Sequence, residues 1–305
     1  MFNSGGGDLM NYVRNAWYVG AWDSDLEQNK LKAIRILAEP IVLWRTQRQL
    51  VALADRCVHR LAPLSLGRCE AERLRCMYHG LLYDPEGQCV QIPGQDVIPP
   101  GARVRRYPVV ERHSWIWVWM GDPARADESL IPPAVALDDP EWILGHGQLN
   151  YQAEARYIND NLLDFSHLTY VHANRFAPVG RGADELTDGW SAYDFLIPGV
   201  LLMWSGSFKL RTAAECNYER PDYSQALRGV TFTSQAVTPT GDRTARYFFS
   251  WGPHRQHGDE ALRDVLMKIA AQAFGEDKIM IEAQQRVIDQ TVDPVIMPTA
   301  GMNVS

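Results

Sequence analysis

The chain has 305 residues, 46% hydrophobic and 22% charged, with a formal net charge of −7. That balance fits a globular protein with enough apolar residues for one large domain or two ordinary ones. It argues against binding along a nucleic-acid backbone, which needs clustered Lys and Arg, and gives no support for docking on an anionic membrane. No apolar run approaches the roughly 18 residues of a transmembrane helix. The nearest, Phe195 to Trp204, is short and interrupted by Pro198.

Met1 to Met10 is Gly-rich and has neither a basic nor an apolar signal region, so no secretory signal is visible. It is expected to be a disordered leader, with the fold starting near Asn11. Five cysteines form no dense framework, which points away from a disulfide scaffold and toward a reducing cytoplasm, where paired cysteines more often bind metal. From Tyr12 to Met120 short β-type runs alternate with turn signals. Ile41-Val42-Leu43-Trp44 and Trp115-Ile116-Trp117-Val118-Trp119 are examples of the runs, Asp84-Pro85-Glu86-Gly87 and Pro93-Gly94 of the turns. This predicts an all-β module over 11–122, with Gly121 to Pro133 reading as a linker.

The remainder, 123–305, is mixed. Glu154 to His172 lacks Gly and Pro and is expected to be helical. Tyr193 to Thr238 and Tyr247 to Trp251 read as strands of an antiparallel sheet. Two amphipathic helices are expected after them, Glu260–Phe274 and Glu276–Asp289, separated by Gly275. Strands followed by helices predict an α+β fold.

Within the β module, Cys57-Val58-His59 and Cys76-Met77-Tyr78-His79 each offer one thiol and one imidazole, on loops separated by the 16 residues Arg60 to Arg75. A [2Fe–2S] centre with two Cys on one iron and two His on the other needs such a pair of loops. A structural zinc site is the alternative, although zinc fingers usually group their Cys together and their His together. Cys69, Cys89 and Cys216 match no ligand position and read as ordinary thiols.

A second constellation runs from Asn161 to His172 and holds Asp164, His167 and His172 in an apolar segment. Two imidazoles and a carboxylate can make a facial triad for Fe(II) that leaves positions open for O2. His167 and His172 stand about 140° apart on an ideal helix, so both can face one metal only if the helix ends, bends or bulges between them. Farther on, Asp277 begins the last predicted helix and shares a face with Ile281, Gln284 and Ile288. An acid there is commonly just favourable with the helix dipole.

The segment Cys57 to His79, with Arg60, Pro63, Leu64, Ser65, Gly67 and Gly80, resembles the Rieske domain of ring-hydroxylating and demethylating oxygenases. Val58 departs from the Pro that many relatives carry, and both ligands remain. Asn15 to Val19, Gly80 to Gly94, Trp115 to Trp119 and Ala283-Gln284-Gln285 are similar to the vanillate O-demethylase and dicamba monooxygenase branch. The resemblance covers nearly the whole chain. It implies a Rieske [2Fe–2S] domain followed by a helix-grip, START-like catalytic domain, with Cys57, His59, Cys76 and His79 as cluster ligands. For the mononuclear Fe(II) it implies His167 and His172 and, by similarity of Glu276-Asp277, the carboxylate of Asp277, with Glu276 and Glu282 as alternatives. Asp164 then matches a bridging acid that carries electrons to the iron site from a Rieske imidazole, here His79, of a neighbouring subunit in a homotrimer. Asn161 joins it as a candidate catalytic residue.

The sequence has no G-x-G-x-x-G and no P-loop, so electrons are expected from a separate NAD(P)H-dependent reductase, directly or through a ferredoxin. The implied reaction is O2-dependent hydroxylation of a methyl group on a small aromatic acid or phenol. On an aryl methyl ether the product collapses to a phenol and formaldehyde. Hydroxylation or N-demethylation of another apolar ring compound is the alternative. Met203, Trp204, Phe249 and Trp251 are candidates for the pocket wall or for plain sheet core. From other classes, a Rieske-type electron carrier explains only the first 120 residues or so, and a zinc-stabilised binding module would lack iron.

Overall fold

The computed structural model describes residues 12–172, 187–217, 219 and 221–291. The expected leader, Met1 to Met10, lies outside the described residues. Two compact units divide the chain: Met1–Pro133 with Thr238–Asp242, and Ala134–Val237 with Arg243–Ser305. The fold is α+β, with strands throughout the first unit and an antiparallel sheet with helices in the second.

The first unit is built of three small antiparallel sheets. One joins β1 (Ala16–Trp22), β10 (Trp115–Met120) and β9 (Val109–Arg112). A second joins β2 (Leu31–Ile36), β3 (Glu39–Arg45) and β4 (Leu50–Ala54). The third runs β5 (Arg68–Glu70), β6 (Arg73–Arg75), β7 (Leu82–Tyr83) and β8 (Cys89–Gln91). Successive side chains of a strand point to opposite faces, and β3 and β4 use both. Ile41, Leu43, Ala52 and Ala54 enter one buried cluster, while Val42, Trp44, Val51 and Leu53 enter another together with Cys57 and Cys76. Burying one such aliphatic side chain contributes ~1.5–3 kcal/mol, so the loops that carry the cysteines rest on a firm floor. Thr238 belongs with this unit because its hydroxyl donates to the Val19 carbonyl at 2.7 Å, and the Leu37 N–H donates to the Pro239 carbonyl at 2.8 Å.

The second unit holds a five-stranded sheet. In chain order its elements are β11 (Gly145–Tyr151), α1 (Ala155–Leu163), α2 (Leu168–Val171), β12 (Thr187–Leu196), β13 (Val200–Lys209), α3 (Thr212–Glu215), β14 (Arg228–Gly241), β15 (Thr244–Pro253) and α4 (Glu260–Gln290). The strand order is β11-β15-β14-β13-β12. The apolar run from Phe195 to Trp204 forms the turn and flanks of the β12–β13 hairpin. No described helix is long and apolar enough to cross a membrane.

Two helical expectations need correction. Glu260–Gln290 is one continuous helix of 31 residues, capped by Asp259 accepting from the Leu262 N–H at 2.9 Å. Gly275 does not split it. A mid-helix glycine costs only about 1 kcal/mol, and the buried residues on either side, Ala273 and Asp277, continue one stripe across it. That stripe is Ala270, Ala273, Asp277, Ile281 and Gln285; Gln284 is exposed, and Gln285 takes the inward place. The stripe advances by four residues and so drifts around the helix, which carries it to Gln285. There Gln285 Oε1 accepts from the Glu154 N–H at 2.9 Å.

The second correction concerns Glu154 to His172, which is not one helix. α1 stops at Asp164, whose backbone is extended (φ −102°, ψ 100°) and whose carboxylate accepts from the Ser166 N–H at 2.9 Å. Asp caps a new turn more readily than it continues a helix. A 3₁₀ turn over Phe165–His167 follows, then the single turn of α2, and His172 lies just past its end.

Candidate metal centres

The two Cys–His loops have the same backbone. In the first, the Cys57 N–H donates to the Ala62 carbonyl at 2.8 Å and the Leu61 N–H returns to the Cys57 carbonyl at 2.9 Å. In the second, Cys76 donates to Leu81 at 2.8 Å and Gly80 returns to Cys76 at 3.0 Å. Each loop turns through a left-handed residue four places after its Cys, Leu61 (φ 57°) and Gly80 (φ 77°). Both thiols are buried and both imidazoles are exposed, with ring centroids 4.4 Å apart.

The arrangement sorts soft sulfur donors inward and imidazoles outward, as a cluster with two unlike irons needs. Tyr83 contacts the Cys57 sulfur through its hydroxyl at 3.2 Å and accepts from the Val58 N–H at 3.2 Å. Burial pushes the Cys76 thiol up, while backbone N–H groups of Tyr78 and His79 pull it down. Those N–H groups are ready donors to a thiolate. Arg75 ties the second loop down, donating to the Gly80 carbonyl at 2.7 Å and pairing with Glu70 at 2.6 Å. Gly67 is required where the loops meet, since a Cβ there would stand 2.3 Å from the Arg75 carbonyl oxygen.

In the second unit, His167, His172 and Asp277 bring one ligand atom each to within 4.8 Å of one another. His172 Nε2 lies 3.1 Å and His167 Nε2 3.5 Å from Asp277 Oδ1. The outer nitrogens are held as well: His172 Nδ1 meets the Glu276 carboxylate at 2.9 Å, and His167 Nδ1 contacts the Asp164 carbonyl. With Nδ1 as donor in each ring, both Nε2 atoms are left as acceptors facing the same point. Burial is the largest influence on Asp277 and raises its pKa, opposed by His172, His167 and Asn161. A buried carboxylate facing two imidazole lone pairs is the donor set for a divalent cation, which would offset that burial.

The other candidates fall around this centre. Asn161 sits beside it, its amide 3.3 Å from His167 Nε2 and 3.4 Å from Asp277 Oδ1. Glu276 engages His172 from outside the triad. Glu282 is held elsewhere, accepting from the Gln152 N–H at 2.8 Å and pairing with Lys278 at 2.9 Å. The Asp164 side chain is exposed and accepts from the Ser166 N–H and hydroxyl, the latter at 2.6 Å, which lowers its pKa.

The triad opens into a cavity of about 640 Å³. Its floor is one face of the sheet, and strand alternation decides which residues reach it. Leu201, Met203 and Ser205 on β13 pair across with Gln235, Thr233 and Thr231 on β14, and all six line the cavity. Leu266, Ile269, Ala270, Ala273 and Phe274 of α4 form another wall. Of the sequence candidates, Met203 and Trp251 line the cavity. Trp204 points to the opposite face, packing on Phe208 and Tyr223, while Phe249 packs against Phe274 and Tyr247. Sequence reasoning missed Tyr83, Thr233 and Gln235. The alternation of Thr231, Thr233 and Gln235 in a strand with Val230, Phe232 and Ala236 was the available signal.

Comparison with known proteins fits this two-centre chain. A Rieske [2Fe–2S] domain model matches residues 16–108, and a vanillate O-demethylase oxygenase C-terminal domain model matches 151–185 and 174–300. The chain belongs to the Rieske oxygenases of this type and is the oxygenase component of a monooxygenase system. Among its relatives, the toluene-4-sulfonate monooxygenase iron-sulfur subunit of Comamonas testosteroni is 37% identical, over 95% of this chain and 93% of its own. The dicamba O-demethylase oxygenase component of Stenotrophomonas maltophilia is 35% identical, over 91% and 89%. The crystal structure of dicamba monooxygenase with non-heme iron and dicamba superposes with a TM-score of 0.75 at 29% identity, covering 94% of this chain and 92% of that one.

Proposed function

We propose that this chain is a terminal oxygenase that hydroxylates a methyl group of a small aromatic compound, and that on an aryl methyl ether this amounts to O-demethylation with release of formaldehyde. The observation that carries the reading is the His167–His172–Asp277 triad at the wall of a largely apolar cavity of about 640 Å³. In this reading Cys57, His59, Cys76 and His79 hold the [2Fe–2S] cluster of a domain over 11–122, and the triad holds Fe(II) in a domain over 123–305. The bound iron would supply O2 activation, using electrons that a separate NAD(P)H-dependent reductase delivers to the cluster.

The chain's own residues account for the remainder of the task. Glu276 and the Asp164 carbonyl fix the imidazole tautomers, and Asn161 stands between His167 and Asp277 with a neutral amide. The apolar walls from α4 and β13 exclude water from the reacting carbon. Exposed imidazoles ringed by exposed Leu61, Met77 and Tyr78 suit a protein contact. The ionised, exposed Asp164 suits the opposite side of that contact, so His79 of one subunit would face Asp164 of the next in a homotrimer. One relative's name, a toluene-4-sulfonate monooxygenase, favours a second reading in which a ring methyl is hydroxylated without ether cleavage.

The test is to purify the protein anaerobically, assay iron and acid-labile sulfide, and supply a reductase with methoxy- and methyl-substituted aromatics. About three irons and two sulfides per chain are expected, with formaldehyde from the ethers. Zinc without sulfide, or a cluster-loaded protein that never takes up the third iron, sinks the reading.

A further inference from the structure

The cavity floor carries two buried polar side chains that the triad does not use. Thr233 and Gln235 of β14 are each 4% exposed and both line the cavity. Tyr247, fully buried, donates its hydroxyl proton to Gln235 Oε1 at 2.6 Å, and Gln235 Nε2 donates to Thr233 Oγ1 at 3.2 Å. Burial holds the Tyr247 phenol in its neutral form. These bonds fix a direction. With its carbonyl oxygen occupied by the phenol, the Gln235 amide has a second N–H left over, and Thr233, having accepted, retains its own O–H. Both remaining groups are donors at the wall of the cavity.

Charge narrows the complement. Among the described lining residues there is no Arg or Lys, and Asp277 supplies a carboxylate. Held against this pair, a sulfonate or carboxylate would be desolvated against neutral donors alone among the described residues, whereas an uncharged acceptor oxygen is matched by them. Taking the cavity as the substrate site proposed above, we infer that Thr233 and Gln235, braced by Tyr247, are its specificity-determining donors, and that the substrate is an uncharged aromatic bearing an acceptor oxygen, as in a carboxamide, ester or sulfonamide.

Matched probes test this on the iron-loaded holoenzyme. Equilibrium binding is measured for toluene-4-sulfonamide against toluene-4-sulfonate, and for 2-methoxybenzamide against 2-methoxybenzoate, with methoxybenzene as the reference lacking an acceptor head group. The neutral member is expected to bind at least about tenfold more tightly than its acid. Thr233→Val, nearly isosteric, and Gln235→Leu should each reduce the ratio of amide to methoxybenzene affinity about tenfold. Retention of the third iron, held in the same unit as the cavity, confirms that each variant is folded there, and Thr233→Val suffices if Gln235→Leu is not. Acids that bind as tightly as their amides, no binding of either neutral probe, or an unchanged ratio in the folded variants would overturn the inference. Reductase-driven formaldehyde release from 2-methoxybenzamide is scored separately. Binding discrimination without product would fault the oxygenase reading and leave the donor pair standing.

Discussion

The two centres are assembled in opposite ways. The proposed cluster site is local: Cys57 to His79 spans two loops with one hydrogen-bond pattern, seated on the core that includes Leu64, Leu74 and Tyr83. The triad site is assembled at long range, with His167 and His172 more than a hundred residues from Asp277. Local loops can carry their ligand geometry in their own turns. A long-range site depends on the packing of α4 against the sheet, and its carboxylate is buried at the expense of its own ionisation. The first centre should therefore tolerate damage to the second, and the coupling between them can be tested by breaking one at a time.

The largest effect is expected from Asp277→Ala. Removing the sole buried carboxylate of the triad should abolish turnover and lower the iron content from about three to about two per chain, with acid-labile sulfide and the Rieske EPR signal unchanged. Loss of sulfide along with iron would show that the two centres fold as one. Glu276→Gln should act on the same centre more gently. It leaves the triad intact but weakens the hold on His172 Nδ1, and orienting partners of this kind are worth roughly 10–100-fold in metal affinity. Iron retention against a chelator measures it, and wild-type retention would show that the carboxylate does not orient the ring.

The same contrast explains what was legible in the sequence. The two Cys–His loops could be singled out because four soft donors lie within two short segments, and the Trp-rich strand Trp115–Met120 could be read because every position of it is buried. The triad was partly legible, because its histidines share a segment while Asp277 was tied to them only through resemblance. Glu276 shows the limit: adjacent acids at a helix position look alike in sequence, and the inward stripe of α4 decides which one enters the site. Gly275 and Gln284 failed for a related reason. Local propensity and ideal periodicity describe an isolated helix, whereas packing carried α4 through the glycine and drifted its buried face to Gln285. Thr233 and Gln235 were hidden because a polar residue in a strand gains meaning only when the opposing wall is known.

At the cluster site a smaller effect separates tuning from assembly. Tyr83→Phe removes a hydroxyl from the Cys57 sulfur and the Val58 N–H without touching a ligand. Hydrogen bonds to cluster sulfurs raise the reduction potential. The variant should assemble normally with a midpoint lower by roughly 50 mV, the one-electron equivalent of about 1 kcal/mol. Protein-film voltammetry reads this, and an unchanged midpoint would mean that the phenol serves packing alone.

The smallest effect concerns acid, and it tests whether the second loop is as self-sufficient as its hydrogen bonds suggest. Arg75 and Arg68 hold the Glu70 carboxyl at a pKa of about 2, well below its ordinary 4.5. A carboxyl lowered on folding contributes stability that is present above the unfolded value and is lost as pH falls through the folded one. Between pH 6 and pH 3 the wild type should therefore lose less of its Arg75 anchoring than an unperturbed carboxylate would allow, and the Gly80 carbonyl should stay in place. In Glu70→Gln that pH-dependent contribution is absent, so its urea midpoint should lie slightly below the wild type at pH 6 and converge with it toward pH 2. The pair is partly exposed, so the gap is expected to be small and to shrink in high salt. Parallel curves with a constant gap would assign the stabilisation to Arg75 packing, and the loop's geometry would then rest on its own turns.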